Sequence, residues 1–411
     1  MSLLFFAVGC HRIEKIVVDT GSVGNVCGGE LLQPQAGYAA LDLQPADPDE
    51  LTFGLAPEPY NVRLSWADDP STTAAILWRT PADTFASRVE YGTETTYGAT
   101  GIGGSFTFLT GEADGRVHEV HLCDLLPATT YHYRVGGGDH WSPDFSFTTA
   151  PAVGADVPVV IAVAGDSRDN QAVWAAEATA MAERAPDFVI FSGDAVDFGS
   201  NMAEWDAWLN AGAGFIESTP VVLAHGNHEF YAQNYFGLVA QPNDEKTFSL
   251  DYGPVHLAVL DDSTTEADRA AQATWLDTDL TATIQPWKLV SHHMPAYSSC
   301  TTHGSDEGLR ELWSPVEESN GVQLDLSGHN HNYERTVPIN SGLEVPDGEG
   351  TVYVVSAGAG ADLYGNDLSN PLTKVAVLSE HYVIIEIDSS TLTLTAYDLG
   401  GNVIDTTSIP K

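Results

Sequence analysis

Five short apolar runs in this 411-residue chain each end on Asp, Asn or His, and that repetition restricts the fold more than any other feature. Val159–Ala164 leads into Gly165-Asp166-Ser167-Arg168, and Asp187–Ser192 leads into Gly193-Asp194. Pro220–Ala224 is followed, after His225, by Gly226-Asn227-His228-Glu229. Lys288–Ser291 leads into His292-His293, and Val322–Ser327 into Gly328-His329-Asn330-His331. Apolar runs without alternation read as parallel strands buried on both faces. Ligands of open α/β sheets gather beyond the carboxyl ends of such strands. The expectation is therefore that Asp166, Asp194, Asn227, His293, His329 and His331 share one edge of one sheet. In four of the five cases a glycine precedes the polar residue, which allows a tight turn and close approach of backbone. Carboxylate, carboxamide and imidazole together make a metal site.

The rest of the chain divides around these runs. Residues 11–56 are rich in Gly, Pro, Asp and Gln and read as a linker. Residues 57–150 hold seven short runs separated by turn residues, from Val62–Trp66 to Asp144–Thr148, as expected of a β-sandwich. Leu125–Val135 resembles the tyrosine-corner strand of fibronectin type III domains. Residues 157–411 alternate strands with helices expected at Gln171–Arg184, Met202–Ala211, Glu266–Thr283 and Asp306–Asn320. Thr351–Val355, Tyr382–Ile387 and Thr391–Tyr397 alternate and read as an antiparallel closing portion. The expected fold class is a β-sandwich domain followed by an α/β domain with a β-sheet sandwich flanked by helices.

Charge narrows the partners. With 57 Asp and Glu against 16 Lys and Arg, the formal net charge is −41, which repels nucleic acid and anionic membranes. An anionic substrate then needs local cations, which a metal site supplies. Met1–Ala7 followed by Val8-Gly9-Cys10 reads as the end of a lipoprotein signal with Cys10 lipidated, although no Lys or Arg precedes the apolar part. The corresponding expectation is an exported protein, periplasmic, surface-anchored or secreted. Of Cys27, Cys123 and Cys300, two could pair in that setting, and the sequence does not choose which.

Gly165-Asp166, Gly193-Asp194, Gly226-Asn-His-Glu229, Val290-Ser-His-His293 and Gly328-His-Asn-His331-Asn-Tyr-Glu-Arg335 occur in the order and spacing of the calcineurin-like metallophosphoesterases. The Gly-His-x-His-x-Tyr-Glu-Arg tail and the preceding sandwich are similar to those of purple acid phosphatases. The resemblance implies two metal ions, of iron, zinc or manganese. It gives Asp166, Asp194 and His331 to the first, with Asp194 bridging, and Asn227, His293 and His329 to the second. It also places His228 near the leaving group as acid or electrostatic stabiliser, and His303 in the pocket. His225 and His292 match no family ligand and read as packed imidazoles.

Two positions depart from the family. Where purple acid phosphatases carry a tyrosinate ligand, this chain has Asp197, a shorter side chain that could reach the ion directly or through water. Where other members carry a ligating His, it has Arg168, which stays protonated and offers either a bidentate grip on phosphate or an ion pair with a neighbouring carboxylate. Purple colour is accordingly not expected. The function implied by the resemblance is phosphoric ester hydrolysis, with a hydroxide held on the metals attacking phosphorus in line and a small phosphate ester as substrate. Phosphomonoesters come first, phosphodiesters second. A surface binding protein on a decayed phosphatase scaffold is the alternative of a different class.

Overall fold

The computed structural model of the protein describes residues 41–107 and 115–411. The expectations for residues 1–40, including lipidation of Cys10 and the pairing of Cys27, lie outside the described residues.

The first domain packs two sheets face to face. One has the strand order Leu41–Gln44, Gly104–Thr107, Arg116–Leu122, Ala74–Thr80, Tyr60–Ser65. The other runs Phe145–Thr148, Thr130–Gly137, Arg88–Gly92, Ala99–Ile102. Alternation along these strands turns Val89, Tyr91, Tyr131, Tyr133 and Val135 onto Leu64, Ile76 and Trp78. The Tyr131 hydroxyl accepts from the Leu126 amide at 2.9 Å, a tyrosine corner. Leu41–Gln44 pairs with Gly104–Thr107, so this part of the stretch read as a linker is bound to the sandwich.

The second domain is itself a two-sheet sandwich with helices outside. Its six-stranded sheet runs Val221–Leu223, Phe188–Phe191, Val159–Ala164, His381–Ile387, Thr391–Asp398, Val403–Pro410. The first three are parallel and the last three antiparallel. The seven-stranded sheet runs Phe248–Tyr252, Val255–Val259, Trp287–Ser291, Leu324–Ser327, Val352–Ser356, Tyr333–Thr336, Thr373–Val377, with a parallel centre. Ile161, Val163 and Ile190 from one sheet meet Leu257, Leu289 and Leu326 from the other in an apolar core.

Helices Gln171–Ala182 and Met202–Ala211 cover the outer face of the first sheet through Trp174, Met181, Trp205 and Trp208. Asn170 and Asn201 cap them. Glu266–Ala282 covers the second sheet with Leu276 and Leu280. The helix expected over 306–320 is two, Glu307–Leu312 and Ser314–Ser319. Pro315 has no N–H for the preceding turn, so the chain restarts its helix there.

The two domains share a core. Leu77, Phe106 and Val117 of the sandwich belong to one buried cluster with Trp208, Ile216 and Phe236. Across this seam Leu64 N donates to Ile216 O at 3.0 Å. The Tyr133 hydroxyl donates to Glu217 O at 2.6 Å, and Arg79 pairs with Asp206.

Candidate metal centre

All six expected ligands lie at one rim, but they come from two sheets rather than one. Asp166, Asp194 and Asn227 follow parallel strands of the six-stranded sheet. His293, His329 and His331 follow parallel strands of the seven-stranded sheet. The chain leaves the first sheet after Val221–Leu223, and Phe248, Leu250, Val255 and Leu257 of the next hairpin bury against its inner face. That packing starts a second sheet whose strand ends point the same way.

The candidate ligands sit on backbone that the glycines make possible. A Cβ at Gly226 would fall 2.3 Å from Asp194 Oδ1, and one at Gly328 would fall 2.4 Å from Asp166 Oδ2. Asp166, Asp194 and His329 themselves have φ of 61°, 54° and 65°, the left-handed region. Side chains there cost energy, and such residues concentrate at functional sites. Backbone amides hold the carboxylates: His329 N donates to both Asp166 oxygens at 3.0 Å, and His228 N to Asp194 Oδ1 at 2.9 Å.

The donor set fits a cation. His293 Nδ1 donates to Ser192 O at 2.8 Å, so in the neutral ring Nε2 presents a lone pair to a cation. That atom lies 3.1 Å from Asn227 Oδ1 and 3.2 Å from Asp194 Oδ2, both acceptors. Likewise His331 Nδ1 donates to Asp362 O at 2.7 Å, leaving Nε2 3.5 Å from Asp166 Oδ1. Asp194, His293 and His329 offer ligand atoms all within 4.8 Å of one another. Acceptors this close and this buried are stable only around positive charge, from a metal ion or from protons. Where protons supply that charge, His293 carries one: burial lowers its pKa, but Asp194 outweighs burial and raises it well above the usual imidazole range. Burial pushes the Asp194 carboxyl up, but His293 and His228 outweigh burial and hold it below the usual carboxylate range. Burial and the neighbouring His293 lower His329 to about 4, which favours the neutral, ligating ring.

Asp197 and Arg168 face each other: Arg168 Nη1 lies 3.1 Å from Asp197 Oδ1. The same carboxylate oxygen stands 3.2 Å from His228 Nδ1. The guanidinium also reaches toward the cluster, with Nε 3.9 Å from Asp194 Oδ2. His228 Nδ1 bonds the Asp197 carbonyl at 2.8 Å, which aims Nε2 toward Asp194 Oδ2, 4.0 Å away. His303 is exposed at the rim, its ring 4.6 Å from His329. Burial, with His331 and Arg168 nearby, lowers its pKa. His225 is buried, stacked 4.2 Å from Tyr231, and burial drops it to about 3. His292 is buried between Asp262 and Asp325, a packed imidazole as expected.

Sequence reasoning missed the residues that hold this arrangement. Buried Glu229 accepts from Asp194 N, Ala195 N and Gly226 N at 3.0, 2.9 and 2.7 Å, tying two ligand loops together. Asp262 holds the amides of His293 and Met294, and Tyr364 stacks on His331 at 4.1 Å. Glu334 receives Ser298, Ser299 and Thr373, and Arg335 and Tyr333 bind Asp405, so the motif's tail anchors loop and C-terminal strand. Only the Glu of Gly-Asn-His-Glu and the Tyr-Glu-Arg triplet carried a signal.

Residues 59–149 match the family described as purple acid phosphatase, N-terminal domain, and residues 159–333 match calcineurin-like phosphoesterase. The chain is 28% identical to purple acid phosphatase 18 of Arabidopsis thaliana over 71% of its own length and 69% of that protein. It is 24% identical to probable inactive purple acid phosphatase 1 of the same plant, over 61% of this chain and half of the relative. The structure of purple acid phosphatase PPD1 from yellow lupin superposes with a TM-score of 0.74 at 22% identity, covering 86% of this chain and 74% of that one.

Proposed function

Because the chain belongs to the calcineurin-like phosphoesterases and carries the purple acid phosphatase N-terminal domain ahead of the catalytic one, we propose that it hydrolyses phosphate monoesters at a two-metal centre. The convergence of Asp194 Oδ2, Asn227 Oδ1 and His293 Nε2 on one small volume carries this reading. Asp166, Asp194 and His331 would hold one ion, and Asn227, His293 and His329 the other, with Asp194 shared. When bound, such a pair supplies Lewis acidity toward phosphoryl oxygen and a water of lowered pKa. The O and N donors suit iron, zinc or manganese.

The chain's own groups do the rest. Arg168 offers guanidinium donors at the rim, and its pairing with Asp197 fixes their direction. His228, held through Nδ1, presents Nε2 to the departing oxygen; in its protonated form it gives up that proton as the P–O bond breaks. Glu229 and Asp262 keep the ligand loops in place. Export accords with the disulfide-bonded Cys123, while Cys300 is a buried free thiol. The lipid anchor on Cys10 belongs to the same proposal.

A second reading, a binding protein that has lost turnover, draws on the Arg168–Asp197 pair where the family has a tyrosinate. One experiment separates the two: elemental analysis of the purified protein, with hydrolysis of a chromogenic phosphomonoester and phosphodiester. Two metals per chain with monoester turnover supports the phosphatase; preference for the diester moves the assignment within the family. Asp194→Ala and His293→Ala are each expected to lower turnover by at least about 10²–10³-fold with the fold intact by circular dichroism. Full activity in both would sink the assignment.

A further inference from the structure

Two large apolar rings stand in solvent beside His228. Phe198 is 53% exposed and Phe230 56%, although most large apolar side chains of this domain are buried. Their rings lie nearly parallel, 14° apart with centroids at 6.1 Å, and the Phe230 ring meets His228 edge-on at 5.8 Å. Among the described residues neither ring contributes to a buried cluster, so core packing does not explain their position.

The backbone fixes them. Gly199 N donates to His228 O at 2.9 Å and His228 Nδ1 bonds Asp197 O at 2.8 Å, locking the Phe198 loop to the Phe230 loop. A Cβ at Gly199 would fall 2.0 Å from Glu229 O, so the approach of the loops depends on that glycine. Phe230 has φ of 51°, unfavourable for a non-glycine residue and not recompensed by burial of its ring.

We propose that Phe198 and Phe230 form a leaving-group subsite for a planar aromatic ring, which makes aryl phosphate monoesters the substrate class; the inference rests on the phosphatase reading above. The wall adjoins the histidine assigned to the departing oxygen, the Phe230 ring 5.8 Å from it, which puts an aromatic surface within reach of the group that oxygen carries. Aromatic faces favour another ring in offset or edge geometry. Two side chains are far too small a patch for a stable protein interface. The net charge of −41 opposes the additional phosphates of nucleoside di- and triphosphates, which leaves an uncharged phenolic group as the best fit.

The test compares kcat/KM for phenyl phosphate, ethyl phosphate and AMP in the metal-loaded wild type, Phe230→Ala and Phe198→Ala. Phenyl phosphate is expected to lose about five- to tenfold in each variant, chiefly through KM, while ethyl phosphate changes less than about twofold. Phe230→Leu, which keeps apolar bulk, is expected to lose part of the aryl advantage with an unchanged melting temperature. Equal losses on both esters, with hydrolysis retained, would overturn the subsite and leave the phosphatase standing. AMP turned over better than phenyl phosphate would overturn the aryl assignment. No hydrolysis of any ester by the loaded wild type would remove the phosphatase reading and the subsite with it.

Discussion

At the scale of single residues, the site is defined as much by what is missing as by what is present. Gly328 supplies no ligand atom, yet the Asp166 carboxylate occupies the space its side chain would need. Gly328→Ala is therefore expected to displace Asp166 and lower metal content and turnover together, at least tenfold in kcat/KM, with a destabilisation of about 1–3 kcal/mol from overpacking; elemental analysis and urea melts would check both. Asp197 makes the complementary point. Its carboxylate could be weighed as a ligand from its position alone, and only the fold shows it engaged by Arg168 and His228. The pair was legible as two departures from a pattern, and not as a contact, because 29 residues separate its members.

At the scale of elements, the hairpin Phe248–Tyr252 and Val255–Val259 carries a testable charge network. His256 stands opposite Asp251 in its register, bonded to it through Nδ1 and to Asp279 of the neighbouring helix through Nε2, each at 2.8 Å. Burial lowers the ring's pKa, but the two carboxylates outweigh burial and raise it to about 9. A histidine whose folded pKa exceeds its unfolded value stabilises fully below about pH 6.5 and loses that contribution as pH rises through about 9. Urea unfolding is expected to show a decline of about 3 kcal/mol across this window, flattened in His256→Gln. Elements themselves were readable where period and caps agreed: Met202–Ala211 lies where its apolar spacing put it. The split at Pro315 was not foreseen, because the apolar period continues across the break.

At the scale of the whole molecule, two features govern behaviour. The sandwich and catalytic domains share an apolar cluster and backbone hydrogen bonds, so calorimetry of the full chain is expected to show one cooperative transition. Two resolved transitions would show that the seam is weak. The net charge of −41 repels itself, and salt screens exposed charges over about 10 Å at 0.1 M. The melting temperature is accordingly expected to rise between 10 mM and 500 mM sodium chloride; a fall would mean that attractive pairs such as Arg335–Asp405 dominate.

The sequence by itself singled out the candidate ligands, because each lies just past an apolar run and the chain's local geometry delivers it to a strand end. It also determined the order of the two domains and most strand positions, since side-chain period is a local property. Tertiary structure alone decided that the candidate ligands divide between two facing sheets, that Glu229 and Asp262 bind the loops, and that Phe198 and Phe230 meet beside His228. Those relations join residues far apart in the chain, and no local period encodes which distant segments will pack together.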